Sequence, residues 1–69
     1  MKLSNLDKRT VENSILIFIG TRKVATERVI DDVVNRNSFA NRNQVSGVIS
    51  GMERRDMIYC SDGYCWIAN

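Results

Sequence analysis

Histidine is absent from this chain and cysteine occurs only twice. Without imidazoles, two thiols cannot complete a structural zinc site within one chain unless carboxylates join them. The same absence removes the commonest activator of a serine or cysteine nucleophile, and neither a glycine-rich phosphate loop nor a nucleophile elbow occurs. The sequence therefore argues against an enzyme and calls for no metal and no cofactor. Long apolar stretches are also missing: the longest wholly apolar run, Ile15 to Ile19, has five residues, against roughly 20 needed to cross a bilayer. No secretion signal is read ahead of it. The expectation is a soluble, cytoplasmic protein with no membrane association and no evident small-molecule substrate.

What is present suits one small domain. At 69 residues a chain buries only about 60% of its extended surface, so stability should be modest and a partner chain or ligand would add to it. The apolar share of 43% and charged share of 26% are ordinary for a folded protein and exclude a disordered or low-complexity segment. Net charge is only +2, short of the strongly basic balance that marks a nucleic-acid domain by bulk charge. Any such role must come from where the charges sit.

The patterning predicts helices over about 5–19, 27–35 and 42–55 and a hairpin over about 57–68. In the first helix Ser4 and Asp7 make a loose capping box, Val11, Ile15, Phe18 and Ile19 follow the stripe of a buried face, and Gly20 is a natural stop. The run ILIFI would also suit a buried strand, but the stripe begins before the run and favours helix. Ile17 then projects roughly opposite the core with Leu16 to its side, either as a surface for a second subunit or as ordinary scattered apolar residues. Val24 is the inward residue of a short extended connector, and Thr26 offers an N-cap to the second helix. That helix has Val29, Ile30, Val33 and Val34 along its apolar edge and Asp32 and Arg36 in the favourable i,i+4 order. Phe39, in the turn that follows, is available to plug the core.

The third helix is read more sharply. Asn41 and Gln44 have capping-box spacing, Val45, Val48, Ile49 and Met52 share one face, and Arg54 and Arg55 complement the helix dipole before Asp56 leaves the helix. From Val45 to Ile58, VSGVISGMERRDMI is similar to the recognition helix, C-cap and first wing strand of the winged helix-turn-helix family. The resemblance covers the last 29 residues well and the first 40 by element order only. It implies a mainly α, three-helix winged helix-turn-helix with a small C-terminal β-hairpin, acting as a sequence-specific DNA-binding regulator of transcription. Asp56 stands where that family often has glycine.

On that reading Arg42, Asn43, Gln44, Ser46, Gly47 and Ser50 face the major groove. Asn and Gln suit adenine edges, Arg suits guanine, and the helix start favours a phosphate. Arg36, Arg54 and Arg55 would meet phosphates, since no acid occurs between Asp32 and Glu53. Gly47, which costs about 1 kcal/mol of helix propensity against alanine, lets a backbone approach closely. The competing reading is that these polar residues are solvated filler and that the glycines pack against another helix.

The hairpin divides into two faces. Asp62-Gly63 is a favoured type I′ turn dipeptide, and a two-residue loop there opposes Cys60 to Cys65, Tyr59 to Trp66 and Ile58 to Ile67. Ile58, Cys60, Cys65 and Ile67 then form an apolar face suited to the core, while Tyr59, Tyr64 and Trp66 form an aromatic face. The opposite orientation, or a mixed packing with Trp66 half buried, fits the same register. The tip carries Asp62 and no base, unlike a wing that grips DNA. Cys60 and Cys65 are expected as free thiols in a reducing cytosol, with a redox-sensing pair as the alternative. Two functional readings stand: a regulator bound to double-stranded DNA, with a homodimer through the first helix, and a protein-interaction module anchored by Leu16, Ile17, Tyr59, Tyr64 and Trp66.

Overall fold

The computed structural model describes residues 2–68. Three helices, α1 (Asn5–Ile19), α2 (Thr26–Arg36) and α3 (Arg42–Arg54), are joined by a small sheet of β1 (Val24–Ala25), β2 (Ile58–Ser61) and β3 (Tyr64–Ile67). The sheet is antiparallel in the order β1-β3-β2. The architecture is mostly α with a C-terminal hairpin, consistent with winged-helix topology. No helix among the described residues is long and apolar enough to cross a membrane.

Each helix begins and ends for a local reason. Ser4 accepts the Asp7 amide at 3.0 Å to open α1. Gly20 closes it at φ 58°, a conformation that glycine adopts without a Cβ clash. At α3 the capping box is complete: the Asn41 side chain accepts from the Gln44 amide at 2.8 Å and Gln44 Oε1 accepts from the Asn41 amide at 3.0 Å. Its far end is a Schellman turn. Asp56 sits at φ 59°, its amide donates to Glu53, and the Met57 amide donates to Met52. The hairpin turn takes positive φ at both Asp62 and Gly63, as a type I′ turn demands.

The core lies where the three helices meet the inner face of the sheet. Val11, Ile15 and Ile19 of α1, Val29, Ile30 and Val33 of α2, Val45, Ile49 and Met52 of α3, and Ile58 and Cys65 of the hairpin are buried together. Full burial of one such large side chain is worth roughly 1.5–3 kcal/mol, so α3 is held firmly by its inner stripe. Asn37 is the one buried polar residue among those described. Its amide nitrogen donates to Ser14 Oγ at 3.1 Å and to the Val33 carbonyl at 2.9 Å, pinning the turn after α2 onto α1.

Four sequence expectations need correction. Thr26 is the first residue of α2 and not its cap: Ala25 occupies that position without a side-chain cap, and Thr26 Oγ1 lies 3.0 Å from Cys65 Sγ instead. The connector before it is extended with Val24 buried, as expected, but it is also an edge strand, since pairing of Val24 with Cys65 satisfies backbone groups that a loop would leave to water. Phe39 does not plug the core but is exposed, because the buried positions of its turn belong to Asn37 and Ala40. Leu16 is half-buried against the core, whereas Ile17 is 81% exposed.

Candidate nucleic-acid interface

The capping box and the buried stripe together fix which side of α3 faces outward. With Val45, Ile49 and Met52 inside, the 3.6-residue period puts Asn43, Gly47, Ser50 and Arg54 in a line on the opposite side. All four are exposed. A Cβ added at Gly47 would meet nothing within 4 Å, so that position is open to an approaching backbone and is not a packing contact within the chain. Arg54 forms no ion pair among the described residues.

The two flanks of this line differ. On the α2 side, Arg42 is held by Asp31 and by Glu27, the latter at 2.9 Å. The hydrogen bond to Asp31 is the main reason its guanidinium is held above its ordinary pKa. Arg42 is therefore engaged with carboxylates while half of its side chain stays open to solvent. The acid-free stretch between Asp32 and Glu53 is acid-free only along the chain, because folding brings Glu27 and Asp31 of α2 against the start of α3. Arg36, expected at a phosphate, pairs with Asp32 at 2.8 Å. Gln44 lies on the other flank, towards α1, where it is half-buried and its carbonyl oxygen serves the capping box. Bidentate adenine pairing needs that oxygen as an acceptor, so Gln44 is a poor base reader in this arrangement. Ser46 is exposed on the same flank as Arg42.

On the α1 side there is a groove of about 590 Å³. Leu3, Val48, Gly47 and Gly51 line it together with the polar groups of Lys2, Lys8, Glu12, Arg54 and Arg55. Arg55 forms an ion pair with Glu12 across it. Neither Lys2 nor Lys8 stood out in the sequence, since nothing in the periodicity of α1 tells which of its flanks α3 will lie against.

The hairpin presents a different chemistry. Tyr59 and Tyr64 are 46% and 47% exposed, and Tyr59 lies 6.1 Å from the half-buried Trp66. Lys23 covers that ring at 4.6 Å and reaches Tyr64 at 5.9 Å, a cation–π arrangement that takes Trp66 partly out of reach of a partner. The turn is docked and not free, because the Thr26 amide donates to the Gly63 carbonyl at 2.9 Å. Cys60 and Cys65 are free thiols directly opposed in register, with sulfurs 2.8 Å apart. Burial, then the hydrogen bond with Cys65, pushes the Cys60 thiol up to about 12. Cys60 thus holds its proton at neutral pH.

No family model, curated protein or solved structure matches the chain.

Proposed function

We propose that this chain is a small DNA-binding module that reads the major groove with the outward line of α3 and regulates transcription in the cytoplasm. One observation carries the reading: Asn43, Gly47, Ser50 and Arg54 form a continuous polar line, opposite the core, that no other part of the described chain covers. Asn43 offers an acceptor and a donor to adenine, Arg54 offers a fork to guanine or phosphate, Ser50 bonds either edge, and Gly47 lets α3 sit close to the groove floor. Arg42, Gln44 and Arg36 take supporting roles, since each is engaged within the protein.

Binding of a short random-sequence duplex, followed as salt is raised, tests this directly. A steep loss of affinity with salt is expected. Selection from a random library should then return a preferred site that Asn43→Ala blurs without weakening background binding. Absence of duplex binding even at low salt would sink the reading.

A second reading, a protein-interaction module, is favoured by the exposed apolar groups away from α3. Ile17 and Leu6 on α1 are 81% and 73% exposed, and Tyr59 and Tyr64 stand on the outer face of the hairpin. Its discriminating measurement is the oligomeric state: a dimer lost on Ile17→Glu places a second copy of the chain on α1, and that outcome is compatible with DNA bound at α3.

A further inference from the structure

We infer that the groove between the start of α1 and α3 is the track for one strand's phosphate backbone. That strand then lies along the α1 flank of α3, on the side away from α2 and the hairpin tip. This rests on the DNA reading above and adds to it the side from which the duplex is engaged.

Charge placement carries the inference. Lys2, Lys8, Arg54 and Arg55 surround the groove, with Glu12 as its single acid. The opposite flank holds exposed Glu27 and Asp31 around Arg42, a cluster with a net excess of one negative charge, and Arg28 is the exposed cation beside them in sequence. The hairpin turn adds Asp62 and no cation. A phosphate strand on the α2 side would meet carboxylates, and like charges brought together during docking are repelled. On the α1 side it meets cations over a floor of Leu3, Val48 and two glycines. Gly47 has open space where a Cβ would stand, so the backbone of a strand reaches α3 without a side chain between them.

Arg55 has a conditional place in this track. Its guanidinium is bonded to Glu12, so a phosphate must compete with that carboxylate. Lys2, Lys8 and Arg54 supply three contacts, and Arg55 a fourth when it exchanges Glu12 for phosphate. Each neutralised phosphate contributes roughly 0.9 to the slope of log affinity against log salt, so three to four contacts predict a slope of about −3.

The test measures that slope by fluorescence anisotropy with a labelled random-sequence duplex for the full chain and four variants. Helical content by circular dichroism checks that each substitution leaves the fold intact. Lys8→Ala and Arg54→Ala should each make the slope shallower by about one, Glu12→Gln should steepen it by about one by releasing Arg55, and Arg28→Ala on α2 should leave it unchanged. The gain expected from Glu12→Gln is a readout that loss of structure does not mimic. Duplex binding whose slope ignores Lys8 and Arg54 but responds to Arg28 would overturn the track while leaving the DNA reading in place. No duplex binding by the unmodified chain at low salt would bring down both. Helical polyglutamate binding, sensitive to Lys8 and Arg54, by a chain that rejects duplex would assign the groove to an acidic protein and overturn the inference as well.

Discussion

Two flanks of the same helix have opposite characters. Along its α2 side α3 offers Arg42, and Arg42 is already occupied by Asp31 and Glu27. Along its α1 side it offers Arg54 and Arg55, and these look across a groove at Lys2 and Lys8. Read along the chain, Arg42 is a groove residue at the helix start in an acid-free stretch, and Arg54 and Arg55 are phosphate contacts at the far end. Folding ties Arg42 to two carboxylates and leaves Arg54 without an ion pair among the described residues. The sign of a surface is set by what packs beside a helix as much as by the helix itself, and a net charge of +2 averages over both sides.

The most drastic way to break the comparison is to remove what both flanks share. Met52 is fully buried on the inner stripe of α3, and its carbonyl closes the Schellman turn. Met52→Ala should cost about 3 kcal/mol through lost burial and a residual cavity, a large share of the stability expected for so small a domain. Urea unfolding measures it, and a loss below about 1 kcal/mol would mean that α3 is not anchored as described.

A milder change should convert the acidic flank. Glu27→Gln with Asp31→Asn releases Arg42 and removes two negative charges. The exposed pairs themselves are worth little, about 0–1 kcal/mol, so stability should hardly move. Duplex affinity should rise several-fold, with the salt slope steeper by about one as Arg42 gains a phosphate. Unchanged affinity would show that the α2 flank lies beyond the reach of DNA altogether, which sharpens the asymmetry; weaker binding would contradict it.

The legible and illegible parts of this molecule divide along the same physical line. Features governed by neighbours in sequence were readable: the Asn41 to Gln44 capping box, the glycine stop of α1, the left-handed Asp56, the type I′ turn and the hairpin register all depend on residues within a few positions of each other. The exposure of Asn43, Gly47 and Ser50 on α3 followed as well, because one buried stripe determines its opposite, whereas Gln44, expected beside them, is half-buried. What could not be read needed knowledge of which flank meets which: Glu27 and Asp31 on Arg42, Lys8 in one groove with Arg54, Glu12 on Arg55, and Lys23 over Trp66. These pairings cross 11 or more positions, and a period of 3.6 says nothing about handed packing. Phe39 failed for a related reason, since the small Ala40 and the hydrogen-bonding Asn37 filled the space it was expected to occupy.

The end of α3 offers a smaller effect, on the boundary between the basic flank and the hairpin. Asp56 holds a left-handed backbone that strains any residue with a Cβ, although aspartate tolerates it better than most. Asp56→Gly should raise stability by about 0.5–1 kcal/mol. It also removes an acid next to Arg55, so thermal unfolding and the duplex salt slope, measured together, separate relief of backbone strain from a change in charge.

The smallest expected effect lies on the acidic side and is read through pH. Cys60 is raised from its ordinary value to about 12, first by burial, then by its bond and repulsion with Cys65, and last by the negative charge of Glu53. A thiol whose folded pKa exceeds its unfolded one binds its proton more tightly in the native state, so its contribution is fully present below the unfolded value, near 8.5, and is lost as pH climbs through about 12. Stability should therefore fall between roughly pH 9 and 12, with Cys60→Ser flattening that part of the profile. The amplitude should be modest because much of the side chain's surroundings is open to water, which screens the charges that oppose ionisation. Glu53→Gln should shift the fall slightly towards lower pH, since one source of negative potential at the thiol is gone. A Cys60 titration unmoved by Glu53→Gln would show that this carboxylate lies too far from the thiol to bias it, leaving burial and Cys65 as the causes of the shift.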